Sequence, residues 1–237
     1  MIIYNPADGD AFTTTIKSAP RHCFLMTRLG KPVPKKIKDI GIEIKKCCLK
    51  KNYKVIDAST KIGGRDFLIK IWKMIASSPI SIGVLHESMS AKTQANIFYE
   101  LGIAQALGKE TLIIKSPKAE IPSDFIRTEH IVFNSSFTKN FTKYLRNLED
   151  QAEHYEIVAD QLDRNPVLAI DYLKRAYLIT GEAHLKKKAK SIIKDAGLQE
   201  TVLQIVLNSS QPPSNNRINL FALLTGTPLC VASYAER

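Results

Sequence analysis

The chain has 237 residues, 44% of them hydrophobic, and 34 Lys+Arg against 23 Asp+Glu give it a formal net charge of +11. That balance excludes a disordered, collagen-like or coiled-coil chain, and no apolar stretch approaches the roughly 20 residues of a membrane span. The start, MIIYNPADGDAF, lacks the basic-then-apolar order of a secretory signal, and four cysteines with Cys47 and Cys48 adjacent suit neither a disulfide framework nor a zinc site, so a soluble cytoplasmic protein is expected.

From residue 22 onward, short apolar runs alternate with helical patterns. The runs at 22–27, 53–57, 80–85, 110–115 and 130–133 read as strands, and 34–50, 65–77, 91–107 and 137 to about 148 read as helices. Pro34 suits a first helical turn, Gly63-Gly64 opens the second helix and Gly108 closes the third. Residues 1–150 are therefore expected to form an α/β domain with an open, Rossmann/flavodoxin-like, mostly parallel five-stranded sheet.

Beyond Asp150 the pattern is helical alone: AEHYEIVADQL, PVLAIDYLKRAYLIT, HLKKKAKSIIKDAG and LQETVLQIVLN, parted by Pro166, Gly181 and Gly197. This assigns 151–208 to a small α-helical region, in which Ala169, Tyr172, Leu173, Ala176 and Tyr177 are spaced like one helix of a tetratricopeptide-type hairpin. Residues 209–237 are a linker, SSQPPSNNR, and an apolar tail, INLFALLTGTPLCVASYAER. The tail is too apolar to stay free in water, so it is expected to pack on the body of the chain or on a second subunit, the C-terminal part supporting a homo-oligomer or docking a partner protein.

The positive charge belongs to the first part, which holds 24 of the basic and 14 of the acidic side chains. Lys31, Lys35, Lys36, Lys38, Lys45, Lys46, Lys50, Lys51 and Lys54 surround Ile37, Ile40, Ile44 and Cys48, four positions on one helical face, so the lysines form a solvated back. Nucleic acid is not the expected partner, because aromatic stacking residues do not interleave with the lysines.

Ligands of open parallel sheets bind beyond the carboxyl ends of the strands. Those positions hold Thr27-Arg28-Leu29-Gly30, Asp57-Ala58-Ser59 and His86-Glu87-Ser88. Arg28 and Arg65 suit a phosphate or a surface ion pair; Asp57 and Asp66 suit a base or ribose hydroxyl, or a helix cap; His86 can line a pocket or merely occupy a loop. Neither G-x-G-x-x-G after the first strand nor G-x-x-x-x-G-K-[ST] is present, and no cofactor is expected. The histidines at 22, 86, 130, 154 and 184 lack the spacing of a helical metal pair, so no metal site is expected either.

The stretch QANIFYELGIAQALGKETLIIKS carries the most chemistry. Ile97, Leu101 and Ala104 mark a buried helix face, whereas Asn96, Tyr99, Glu100 and Ile103 share another. A carboxylate amid such neighbours is costly to desolvate unless it is paired or functional. Lys92 and Lys109 are candidates to pair with Glu100, and Asn96, one turn earlier, could hold it by a hydrogen bond. Tyr99 and Trp72 can serve as core aromatics or as base-stacking platforms.

The succession HCFLMTRLG, a Lys-rich helix, YKVIDAS, PISIGVLHES and ANIFYELGIAQALGKETLIIKS…IPSDF resembles the TIR-like and nucleoside 2-deoxyribosyltransferase-like superfamily over about residues 20–135. Asn96-Ile97-Phe98-Tyr99-Glu100-Leu101-Gly102-Ile103-Ala104 matches its N-[IV]-[FY]-Y-E-[LI]-G-[IL]-A block throughout. The resemblance implies that Glu100 acts on an N-glycosidic bond, as a nucleophile or essential carboxylate, in a chain that cleaves NAD or a related nucleotide. It further implies an antiviral-defence effector activated by assembly. The first strand leads into Thr27-Arg28-Leu29-Gly30 instead of the transferases' glycine- and proline-rich loop, and the carboxyl-terminal residue with which an adjoining protomer completes their pocket has no counterpart. That departure favours hydrolysis, or a nucleotide-sensing module without turnover, over transfer.

Overall fold

In the computed structural model, which describes residues 16–30, 32–58 and 67–197, the five apolar runs become β1 (His22–Met26), β2 (Lys54–Asp57), β3 (Ile80–Leu85), β4 (Glu110–Lys115) and β5 (His130–Val132). They form one sheet in the order β2-β1-β3-β4-β5, every neighbouring pair parallel. Chain connections leave β1 and β3 in opposite directions, so the crevice between their carboxyl ends is the switch point of the fold.

Register decides which side chains meet which helices. Leu25 lies opposite Asp57 on β2 and Ile82 on β3, and Met26 lies opposite Gly83. Partners in a parallel pair share a face and successive residues alternate. Leu25 faces α1 (Lys35–Lys50): a Cβ on Gly41 would sit 4.0 Å from its Cδ2, and Cys48 Sγ of the same helix is 4.0 Å from Cys23 Sγ. Gly83 faces α3 (Ala91–Ala106), where a Cβ would sit 2.7 Å from Leu101 Cδ1 and 3.1 Å from Ile97 Cγ2. The bare α-carbon of Gly83 thus lets α3 lie hard against the sheet. Accordingly α1 and α4 (Phe137–Asp160) pack together on one side, and α2 (Phe67–Ser77) and α3 on the other.

The buried side of α1 is Ile37, Ile40, Ile44 and Cys48, as its spacing predicts, together with Cys47. Each such aliphatic side chain withdrawn from water contributes about 1.5–3 kcal/mol. The fourth helix runs further than the expected end near residue 148. Phe137, Phe141, Tyr144, Leu145, Leu148, Ala152 and Ala159 keep one face apolar to Asp160, and no Pro or Gly interrupts them. Its second half carries α5 (Pro166–Thr180) and α6 (Ala183–Asp195), with Tyr155 against Tyr172 at 5.7 Å between ring centroids. Asn165 caps α5 by accepting from Leu168 N–H at 3.1 Å, and Gly181 closes it at φ +75. One apolar cluster extends from Cys23 to Ile193, so sheet and C-terminal helices share a core.

Arg21 fastens these helices to the sheet. Its Nη1 donates to Thr180 O (3.0 Å), Nη2 to Lys51 O (2.6 Å) and to Glu149 Oε1 (3.2 Å), and Nε to Asn52 O (3.2 Å). The guanidinium also lies 4.5 Å from the centroid of the Tyr53 ring. Among the described residues no helix is long and apolar enough to cross a membrane. Gly63-Gly64, the segment LQETVLQIVLN, the linker and the apolar tail lie outside the described residues.

Candidate active site

Glu100 sits in the third turn of α3, whose N-terminus is capped by Ser90 accepting from Thr93 N–H at 3.3 Å. Ile97, Leu101 and Ala104 are buried, the face that the spacing predicts. On the flank facing β5, Phe98 packs on Phe125 at 4.9 Å and Gln105 Nε2 donates to Thr128 Oγ1 at 2.8 Å. At about 100° per residue, Glu100 with Asn96 and Ile103 occupies the opposite flank, which looks toward α2. The close contact at Gly83 fixes the height of that flank on the sheet.

Half-buried there, Glu100 has no hydrogen-bond or ion-pair partner among the described residues, and desolvation by burial raises its pKa to about 7. The expected cations are elsewhere. Lys109 Nζ donates to Ala76 O at 2.7 Å, with its own pKa drawn down to about 8 by burial, and Lys92 is exposed. Nor does Asn96, also exposed, hydrogen-bond to Glu100. Tyr99 is 52% exposed, outside the core, whereas Trp72 of α2 packs partly buried against it.

The other sequence candidates divide between the two sides of the sheet. Asp57 ends β2 on the α1 side, where Lys45 Nζ meets its Oδ2 at 3.0 Å. Strand alternation from Ile82 through Val84 turns His86 to the α1 side as well. Thr27 and Arg28 are half-buried just past Met26, and Arg28 makes no ion pair among the described residues. Asp66 and Arg65 lie outside the described residues. Asn96 and Tyr99 are thus exposed on the helix that carries Glu100, whereas Asp57 and His86 lie on the α1 side of the sheet.

A cleft of about 200 Å³ opens on that second side, bounded by Lys36, Asp39, Ile40, His86, Glu87, Ser116, Pro117 and Phe133. Ser116 Oγ donates to Glu87 Oε2, and this bond, with that of Glu87's own backbone N–H, holds the Glu87 carboxyl below its ordinary pKa. Sequence reading missed Ser116 and Phe133, although Ser116 follows β4 just as His86 follows β3. Among the described residues no cluster of three His, Cys, Asp or Glu could hold a metal ion.

No protein-family model and no curated protein sequence matches the chain. Among solved structures, a 2-deoxyribosyltransferase from Bacillus psychrosaccharolyticus is similar at 14% identity and a TM-score of 0.39, over 51% of this chain and 90% of its own. A CMP N-glycosidase from Clostridium botulinum is similar at 19% identity and a TM-score of 0.36, over 53% of this chain and 98% of its own.

Proposed function

We propose that this chain cleaves the N-glycosidic bond of a nucleoside or nucleotide, with Glu100 as its catalytic carboxylate. The observation that carries the reading is a half-buried carboxylate without a partner among the described residues, raised to a pKa of about 7, within a helix motif that matches the superfamily block throughout. A structural carboxylate would be expected to find a cation or a donor.

The chemistry follows from the position. As the base departs with the bonding electron pair, taking a proton from solvent where it would otherwise leave as an anion, positive charge develops on the anomeric carbon. Ionised Glu100 either stabilises that charge while water adds to the carbon and gives up a proton, or bonds to the carbon as a glycosyl ester that water then hydrolyses, restoring the carboxylate. Poor solvation makes the carboxylate respond more strongly to charge than it would in water. In this reading Asn96 and Tyr99, exposed on the same helix, contact the sugar or base, and Arg28 contacts a phosphate.

NAD, nucleosides and nucleoside monophosphates form the substrate panel, and an effector role in antiviral defence would be consistent with NAD. Purified full-length protein is incubated with each, and released base is measured by chromatography. Base release that disappears in Glu100→Gln supports the reading. Tight nucleotide binding with no release from any substrate would replace it with the nucleotide-sensing one.

A further inference from the structure

The cleft on the α1 side contains a histidine whose ring N–H is accepted by no described protein group. His86 is only 5% exposed. Its Nδ1 lies 3.1 Å from Ser88 N and 2.9 Å from Ser88 Oγ. A backbone N–H can only donate, so Nδ1 is the acceptor and the ring proton resides on Nε2. That Nε2–H has no partner among the described residues, and the ring lines the cleft. The N–H is open to the solvent of the cleft, so an acceptor bound there would take the place of water.

The remaining lining narrows the ligand. Asp39 and Glu87 outnumber Lys36, so the walls carry excess negative charge and disfavour a phosphate. Phe133, whose ring lies 4.9 Å from that of Phe137, and Ile40 supply flat and apolar walls. A cleft of about 200 Å³ is smaller than the roughly 300 Å³ at which pockets for whole drug-sized ligands begin, and so suits one ring system. The two carboxylates accept from N–H groups, and Glu87 is kept in place by Ser116.

We infer that this cleft binds a free nucleobase: a planar heteroaromatic ring whose acceptor takes the His86 Nε2–H, whose adjacent N–H donates to Glu87 or Asp39, and whose face packs on Phe133. The site lies across the sheet from Glu100 and does not rest on the function assigned there. If Glu100 does release a base, the cleft gives the product a place to bind outside the reaction site.

The test is calorimetric titration of the full chain with cytosine, adenine and uracil, with CMP and inorganic phosphate as competing probes. At least one base is expected to bind, and CMP at least tenfold more weakly. His86→Ala is expected to weaken the base at least tenfold and Phe133→Leu severalfold, while Glu100→Gln leaves it unchanged. Should His86→Ala fail to fold, Glu87→Ala at the exposed rim is expected to weaken the base severalfold. Binding of no base, tighter binding of CMP or phosphate, or base binding lost in Glu100→Gln but kept in the cleft variants would each overturn the inference.

Discussion

Two charged groups at opposite places in the fold are treated in opposite ways. Arg21, at the amino-terminal edge of the sheet, borders a cavity of about 360 Å³ with Glu149, Glu153, Glu156 and Glu182. Most of its guanidinium donors are used, and neighbouring charges are paired too: Lys51 reaches Glu149 at 3.6 Å, and Lys188 reaches Glu156 at 2.8 Å. Glu100, on α3, has no partner among the described residues and is raised to a pKa of about 7. The roomier place is a fastening, whereas the unsatisfied charge lies elsewhere. On the proposed reading, incomplete pairing is a better guide to chemistry in this molecule than the size of a hollow.

The sharpest way to break that comparison is Glu100→Gln. Turnover is expected to fall roughly 10³-fold or more, because shape is kept while the charge that answers the transition state is lost. Stability should move the other way. Folding raises this pKa from 4.5 to about 7, so the native state holds the proton more tightly than the unfolded chain does. Glu100 therefore carries no penalty below about pH 4.5, and its cost grows as pH rises to about 7 and is constant above. Denaturation at pH 8 should show the Gln variant more stable by up to about 3 kcal/mol, with the difference vanishing near pH 4. In the wild type, kcat/KM should rise with pH through about 7, as expected for a carboxylate that must be ionised. A lower melting temperature at pH 8 in the variant would mean that Glu100 has a structural partner.

Arg21→Ala tests the other half. Losing bonds to β2's approach, α4 and the end of α5 together is expected to cost roughly 2–4 kcal/mol in urea unfolding, with turnover per folded molecule kept. Arg21→Lys should recover only part, since an ammonium cannot fork to four acceptors. Between the two regions stands Gly83→Ala. Its Cβ would enter Leu101, so a cost of about 1–3 kcal/mol is expected, along with reduced turnover from a displaced α3. The smallest effect belongs to Ser90→Ala, which removes the cap of α3 and should lower stability by about 1 kcal/mol without changing the pH profile of turnover.

Much of the fold is visible along the chain because its signals are local. Apolar runs of four to six residues between helical periods place every strand within one or two residues. The end of α4 was harder to see, because the change of pattern near Asp150 marks where the helix changes neighbours, not where it stops. Glu100 too was legible, as a carboxylate at the wrong place in an apolar helix.

What only the tertiary structure decided is which groups face each other. Asp57 and His86 look alike as candidates when strand ends are read in order. A strand exposes alternate residues to opposite sides, and which helix covers each side depends on crossovers that join distant segments. Lys45 therefore claims Asp57, and His86 opens into the cleft with Ser116 and Phe133, 30 and 47 positions later in the chain. Arg21 gives no local signal at all, since its partners Glu149 and Thr180 lie 128 and 159 positions away. Composition and period determine which segments become strands and helices, because those depend on neighbours within a few residues. Whether a charge is satisfied depends on atoms brought together from across the chain, and that is settled only when the sheet and its covering helices are assembled.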